Sequence, residues 1–135
     1  MATITLYVDS AHATSLTQQT VDTYCNFGQA SNITNESYSV AANVGDTIEW
    51  VGQTNPASSN IINITKVKYE NIAQSSNIFG GNGTIQGDNG SPEKVSATVQ
   101  NGTDGEEETY QIFFNVNGGQ QFNIDPKIIV NPTES

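Results

Sequence analysis

Acidic side chains are the most numerous residues of this chain that could take part in chemistry. The sequence has 14 Asp and Glu, four Lys, no Arg, one His and one Cys, for a formal net charge of −10. Two groups of oxygen donors fall in turn-like stretches: Asp88, Asn89 and Glu93 in one, and Asp104, Glu106 and Glu107 in the other. Calcium takes six to eight oxygen ligands, often from such turns. Calcium is therefore the one metal that the pattern leaves open, although turn chemistry alone also explains Asp-Asn-Gly.

The residue types that build other reactive sites are too few. A blue-copper site takes two His, a Cys and a weak Met ligand, and a zinc site takes at least three protein ligands. This chain has His12, Cys25 and the initiator Met1, and it lacks the G-x-S-x-G turn of serine hydrolases. We predict that His12 lies on the surface, that Cys25 is a buried and inert thiol, and that the protein uses no cofactor.

Paired carboxylates are the remaining route to an enzyme. No spacing in the sequence places two acids across a cleft, as a glycoside hydrolase would require. Glu49 alternates with Ile48 and Trp50 and is predicted to face solvent, and the acidic run at 106–108 is predicted to be a solvated turn that blunts strand pairing. We therefore predict a protein that is not an enzyme, with an acid–base enzyme as the least favoured alternative.

The one-sided charge limits the partners. Nucleic acids and anionic membranes need clustered basic groups, which this chain lacks. Cationic partners, divalent ions and neutral glycans stay open. Four aromatic residues, Tyr24, Tyr38, Trp50 and Tyr69, would form a sugar platform if they faced outwards, but Trp50 is in phase with Ile48 and is more simply a core residue.

Alternation of apolar and polar residues is the strongest structural signal. At 110–116 the apolar residues recur with a period of two, Asn117-Gly118-Gly119 follows, and a second apolar run covers 122–130, which predicts a long β-hairpin. Further strands are predicted at 3–8, 37–44, 47–52, 61–69, 84–86 and 93–100. Asp125-Pro126 predicts a bulge or an edge position inside the last run, because proline cannot donate to a strand ladder.

These strands predict one all-β domain spanning 1–135: a single antiparallel Greek-key β-sandwich of seven or eight strands. A long polar connection runs at about 9–35. Within it, Val21, Tyr24, Cys25 and Phe27 are spaced to tuck one short segment onto the sandwich.

Two stretches carry a resemblance to known families. Residues 44–50, Val-Gly-Asp-Thr-Ile-Glu-Trp, resemble the V-G-D-T-V-x-W pattern of cupredoxin-like sandwiches. The resemblance implies a metal-free cupredoxin-like or immunoglobulin-like β-sandwich, since the copper ligands are missing. Residues 124–130, Ile-Asp-Pro-Lys-Ile-Ile-Val, are similar to small bacterial inclusion-body proteins of the AidA/PixA-like kind, which implies abundance and self-assembly rather than catalysis.

The prediction that follows is a non-enzymatic structural protein that assembles with copies of itself. The first strand and the polar segment at 9–35 are expected to supply edge pairing to a neighbour. The alternative is a lectin-like domain for carbohydrate or another small ligand, with calcium as an optional aid to binding. No basic leader and no transmembrane stretch precede or follow the first strand, so we expect a protein that is cytoplasmic or exported without a cleaved signal peptide.

Overall fold

The computed structural model describes residues 2–30, 32–69, 78–80, 83–90, 92–103 and 107–131. Within them lie a 3-10 turn at Ala13–Ser15, one helical turn α1 at Val21–Tyr24, and ten strands. The strands are β1 (Ala2–Asp9), β2 (Cys25–Asn26), β3 (Ser39–Asn43), β4 (Thr47–Asn55), β5 (Ile62–Tyr69), β6 (Thr84–Gln86), β7 (Val95–Thr98), β8 (Glu108–Val116), β9 (Gln121–Ile124) and β10 (Lys127–Asn131). No helix of the described ranges is long and apolar enough to cross a membrane.

The first sheet has the order β2-β1-β4-β7. Strand β1 runs parallel to β4 along its whole length, from Ala2 opposite Ile48 to Asp9 opposite Asn55. Strand β7 lies antiparallel on the far side of β4. Strand β2 pairs antiparallel with β1, but only at Tyr7 and Val8.

The second sheet has the order β3-β10-β8-β5-β6, and β9 also pairs with β8. The predicted hairpin is confirmed: Ile112 pairs with Ile124 and Thr109 with Lys127, in a single register. Its second strand is interrupted between β9 and β10 at Asp125-Pro126, where Pro126 still accepts the N–H of Tyr110 at 3.1 Å. The missing N–H of proline explains the interruption.

The all-β prediction is confirmed, but the antiparallel prediction is wrong. Both sheets are mixed, because β1 runs parallel to β4 and β3 runs parallel to β10. Alternating hydrophobicity reports which face of a strand is buried and is the same for either strand direction. The described residues hold ten strands rather than seven or eight, since β2 is very short and the last apolar run divides into two strands.

The core lies between the two sheets. Its largest fully buried side chains include Trp50 from the first sheet and Tyr69, Tyr110 and Phe114 from the second. The indole N–H of Trp50 donates to the hydroxyl of Tyr110 at 3.1 Å and so joins the sheets through a buried hydrogen bond. The predicted core position of Trp50 is confirmed.

The polar segment after β1 is tied to the sandwich at a few points. Val21, Cys25 and Phe27 are buried, and Tyr24 packs against the core, as their spacing predicted. This segment carries α1 and β2 along one side of the molecule and leads into β3. It therefore decides how much of β1 stays accessible.

Candidate functional site: the open edge of strand β1

Strand β1 has one paired side and one side that is mostly open. Strand β4 occupies one side over all of Ala2–Asp9, whereas β2 occupies the other side at Tyr7 and Val8 alone. Within the described part of the chain, no strand or backbone hydrogen bond occupies residues 2–6 on that second side. Alternate residues of a strand direct both N–H and C=O to the same side, so this stretch presents backbone donors and acceptors outwards. We call residues 2–6 the open edge.

The open edge has none of the features that usually prevent strand addition. Natural proteins protect edges with lysine, proline, bulges or a very short strand. The open edge reads Ala-Thr-Ile-Thr-Leu, without charge or proline. Ile4 and Leu6 are buried against the core, while Thr3 is exposed and Thr5 half-buried. The result is an uncharged edge made mostly of good strand formers.

The edge of β9, by contrast, is covered by a side chain. The amide of Gln18 donates to the carbonyl of Asn123 at 2.9 Å and accepts the N–H of Asn123 at 3.0 Å. One glutamine thereby reproduces both hydrogen bonds of a neighbouring strand. This contact was not predictable from the sequence, because the two residues are far apart in the chain and a lone Gln gives no pattern.

The remaining edges differ in length and in charge. Strand β6 has three residues, and β7 follows Lys94, which forms an ion pair with Glu49 at 3.4 Å. The side chain of Glu49 is 24% exposed, so it faces solvent only in part, whereas a solvent-exposed side chain was predicted. Strand β3 ends its sheet, and no strand of the described ranges pairs with its other side, but acids lie beyond both of its ends, at Glu36 and at Asp46. The carboxylate of Asp46 accepts the N–H of Asn43 at 2.8 Å and so holds that charge close to the strand end.

A polar cleft of about 500 Å³ lies between α1 and the turn that precedes β3. Buried Asn35 organises it by donating to the Asp22 carboxylate at 3.1 Å and to the carbonyl of Cys25 at 3.0 Å. It also accepts a hydrogen bond from Gln29 at 2.9 Å. Burial, together with the charge of Asp22, raises the pKa of Cys25 to about 12. The predicted burial of Cys25 is confirmed, since the residue is 3% exposed.

Three acids that the sequence did not group come together beside this cleft. The pKa of Glu36 is raised, first by a hydrogen bond with the Asp22 carboxyl, then by the Asp22 charge, by burial and by Asp125, with Lys127 acting in the opposite direction. The pKa of Asp125 is raised by burial and then by Asp22. These acids stand on three separate segments, so no spacing in the sequence could have shown the cluster. Among the described residues, no group of three His, Cys, Asp or Glu side chains is arranged to hold a metal ion.

The first predicted calcium turn is formed as a turn. Asp88 Oδ1 accepts the N–H groups of Gly90 at 2.9 Å and Lys94 at 3.1 Å, and these bonds hold the pKa of Asp88 below its ordinary value. Glu93 Oε2 accepts the N–H of Asn89, whose φ of 59° is left-handed. The structure thus brings all three predicted residues together, and the Asp88 and Glu93 carboxylates each accept backbone N–H groups of this turn. Calcium binding there stays a prediction.

The second predicted calcium turn is only partly within the described ranges. Asp104 and Glu106 lie outside them, and Glu107 is exposed.

The predicted surface position of His12 is confirmed: its side chain is 41% exposed, 2.9 Å from the Asp9 carboxylate. The His12 ring stacks on the ring of Tyr24, with centroids 3.9 Å apart, and the ring of Tyr38 stacks on that of Phe27, with centroids 4.8 Å apart.

The sequence of this chain matches no known family's sequence profile and no curated protein sequence. Among solved structures, the chain is similar to the inclusion body protein PixA from Burkholderia cenocepacia J2315, with a TM-score of 0.58 and 10% sequence identity. The match covers 96% of this chain and 95% of that one. At this identity the likeness concerns the fold, and at that level the predicted similarity to PixA-like proteins is confirmed.

Proposed function

We propose that this protein is a non-enzymatic structural module that assembles with copies of itself through strand-edge pairing. The observation that carries the proposal is the open edge of β1, an uncharged stretch with outward backbone donors and acceptors and no protecting residue. Adding a strand there satisfies backbone groups without requiring any particular side chain. The fold it shares with a protein named for inclusion bodies supports the same function. Within this proposal the sandwich is a metal-free relative of cupredoxin-like and immunoglobulin-like folds.

Particle size measured by light scattering tests the proposal. Wild-type protein should grow to a defined oligomer or polymer as its concentration rises, because strand pairing between copies is bimolecular. Calcium and a chelator are compared at constant ionic strength, so that bridging of the acidic turns is separated from screening. A strict monomer under every condition would contradict the proposal and leave the neutral-glycan alternative for a glycan array.

A pair of lysine variants locates the contact. Thr5→Lys places a charge on the open edge, and Ser96→Lys makes the same change on an exposed position of β7. Each variant adds one positive charge to a net charge of −10, so electrostatic repulsion between copies falls equally in both. We expect Thr5→Lys to reduce assembly and Ser96→Lys to leave it at the wild-type level. Equal behaviour of the two variants would remove the open edge from the proposal.

A further inference from the structure

If copies assemble through the open edge, one strand of the second copy must pair with it, and its identity follows from charge and register. Each copy carries a net charge of −10, so two copies repel unless they meet where charge is lowest. The open edge contains no titratable side chain, and the first acid after it, Asp9, is engaged by His12 at 2.9 Å. Charge therefore favours contact at this edge over contact at an edge bordered by acids.

Strand β3 is the competing open edge, and charge weighs against it. An antiparallel pair of two β3 strands centred on Ala41 brings Glu36 of one copy towards Asp46 of the other, at both ends of the pair. Like charges directly opposite each other destabilise strand pairs. A pair of two β1 strands has no such opposition, because Asp9 is the last residue of β1 and residues 1–8 contain no acid that could lie opposite it.

Strand β2 then sets the register. Tyr7 and Val8 already pair with Asn26 and Cys25, so an added strand can extend only as far as Leu6. The antiparallel arrangement that uses every residue of the open edge is centred on Ile4. It places Ala2 opposite Leu6 of the second copy and Thr3 opposite Thr5 of the second copy. Residues directly opposite in a pair share a face of the sheet, so Ile4 and Leu6 of both copies stay on the core side.

We propose that two copies of this chain form a two-fold dimer by antiparallel pairing of their β1 strands, centred on Ile4. The inference rests on the proposed function and names its partner and geometry. The two four-stranded sheets join into one continuous eight-stranded sheet, and both open edges are used up in the contact. Because this contact is isologous, it closes at two copies, and any larger particle grows from dimers through a second surface.

Single-cysteine variants test this register. Thr3→Cys and Thr5→Cys are each oxidised alone and as an equimolar mixture, with wild-type protein as the control for buried Cys25. We expect covalent dimer in the mixture and none in either variant alone. In this register two copies of the same cysteine sit diagonally, about 7–8 Å apart, which is beyond disulfide reach.

The other outcomes separate this inference from the proposed function. Cross-linking of Thr3→Cys or Thr5→Cys alone would move the centre of the pair and overturn the register. An oligomer by light scattering without cross-linking in any sample would overturn the β1 pair while the proposed function stands. A monomer in every sample would overturn both.

Charged double variants give an independent readout. Thr3→Glu with Thr5→Glu sets two like-charge pairs across the interface, and the dimer dissociation constant should rise about tenfold. Thr3→Lys with Thr5→Glu keeps the net charge and sets two opposite-charge pairs, so wild-type affinity is expected. Ser96→Glu with Thr98→Glu adds the same two charges to exposed positions of β7. If that control weakens the dimer as much as Thr3→Glu with Thr5→Glu does, the inference is wrong.

Discussion

Trp50 is fully buried, and its indole N–H points at the hydroxyl of Tyr110, 3.1 Å away. Phe79 meets the indole edge-on, with ring centroids 5.8 Å apart. Burial raises the pKa of Tyr110 well above the ordinary phenol value, so the hydroxyl stays protonated. This bond satisfies two polar groups that would otherwise be buried without partners.

Replacing Tyr110 with Phe should therefore destabilise the fold. The variant keeps the ring but leaves the N–H of Trp50 without its acceptor, which costs about 1–3 kcal/mol. Urea unfolding at neutral pH measures the change in the free energy of unfolding. Tyr7→Phe removes the same hydroxyl from a half-buried ring and is the control. Equal losses of stability in the two variants would mean that the buried hydrogen bond contributes no more than the hydroxyl of half-buried Tyr7.

The pair of Glu36 and Asp22 should make stability depend on pH. Two carboxyls share a hydrogen bond only when one of them holds a proton, which is why the pKa of Glu36 lies above its ordinary 4.5. The folded state then binds that proton more tightly than the unfolded chain does. Glu36 accordingly stabilises the fold at low pH, and this contribution is lost as pH rises through and above the ordinary carboxyl range.

Glu36→Gln isolates that contribution. Glutamine donates to Asp22 without needing a proton, so the variant should lose less stability than wild type between about pH 4 and about pH 7. Urea unfolding across this range gives the two slopes. Glu107→Gln removes an exposed acid and should keep the wild-type slope. If the free energy of unfolding of Glu36→Gln fell with pH as steeply as that of wild type, protonation of the pair would not be linked to folding.

Predictions for single residues were correct where nearby residues in the sequence decided burial. The core position of Trp50 followed from its alternation with Glu49 in β4, and the burial of Cys25 from its apolar neighbours. The cluster of Asp22, Glu36 and Asp125 was not predictable, because each acid belongs to a different segment and only the folded chain brings them together.

Gln18 and strand β9 show how one side chain can replace a neighbouring strand. Gln18→Ala should remove both hydrogen bonds to Asn123 and leave the edge of β9 open. Each such bond contributes about 0.5–1.5 kcal/mol, and the amide of Asn123 should exchange with solvent faster. Hydrogen exchange followed by NMR measures this directly. Gln19→Ala at the neighbouring exposed position should leave the exchange unchanged.

The positions of the strands were predicted better than the way the strands pair with each other. The hairpin of β8 with β9 and β10 is local, and Asn117-Gly118 marked its turn; Asn117 has the left-handed φ of 57° that such a turn needs. The parallel pairs of β1 with β4 and of β3 with β10 join distant segments. No local pattern specifies strand direction, so the predicted antiparallel order failed there.

For the whole molecule, the net charge of −10 sets how association responds to salt. Raising monovalent salt from about 10 mM to about 100 mM shortens the screening length from about 30 Å to about 10 Å. Repulsion between copies falls, so the oligomer dissociation constant should decrease. Sedimentation or light scattering at several salt concentrations measures this. An oligomer that weakens with added salt would point instead to attraction between opposite charges.

The parallel pairing of β1 with β4 also bears on the order in which the chain folds. Strand β1 is synthesised before β4 and cannot dock until the segment carrying β4 exists, so the whole intervening chain must close into a loop. The hairpin of β8 and β9 closes over a short turn and should form early. During that delay β1 has apolar side chains and no partner. Association of neighbouring nascent chains through β1 should therefore depend on how densely those chains are synthesised, as well as on the stability of the finished fold.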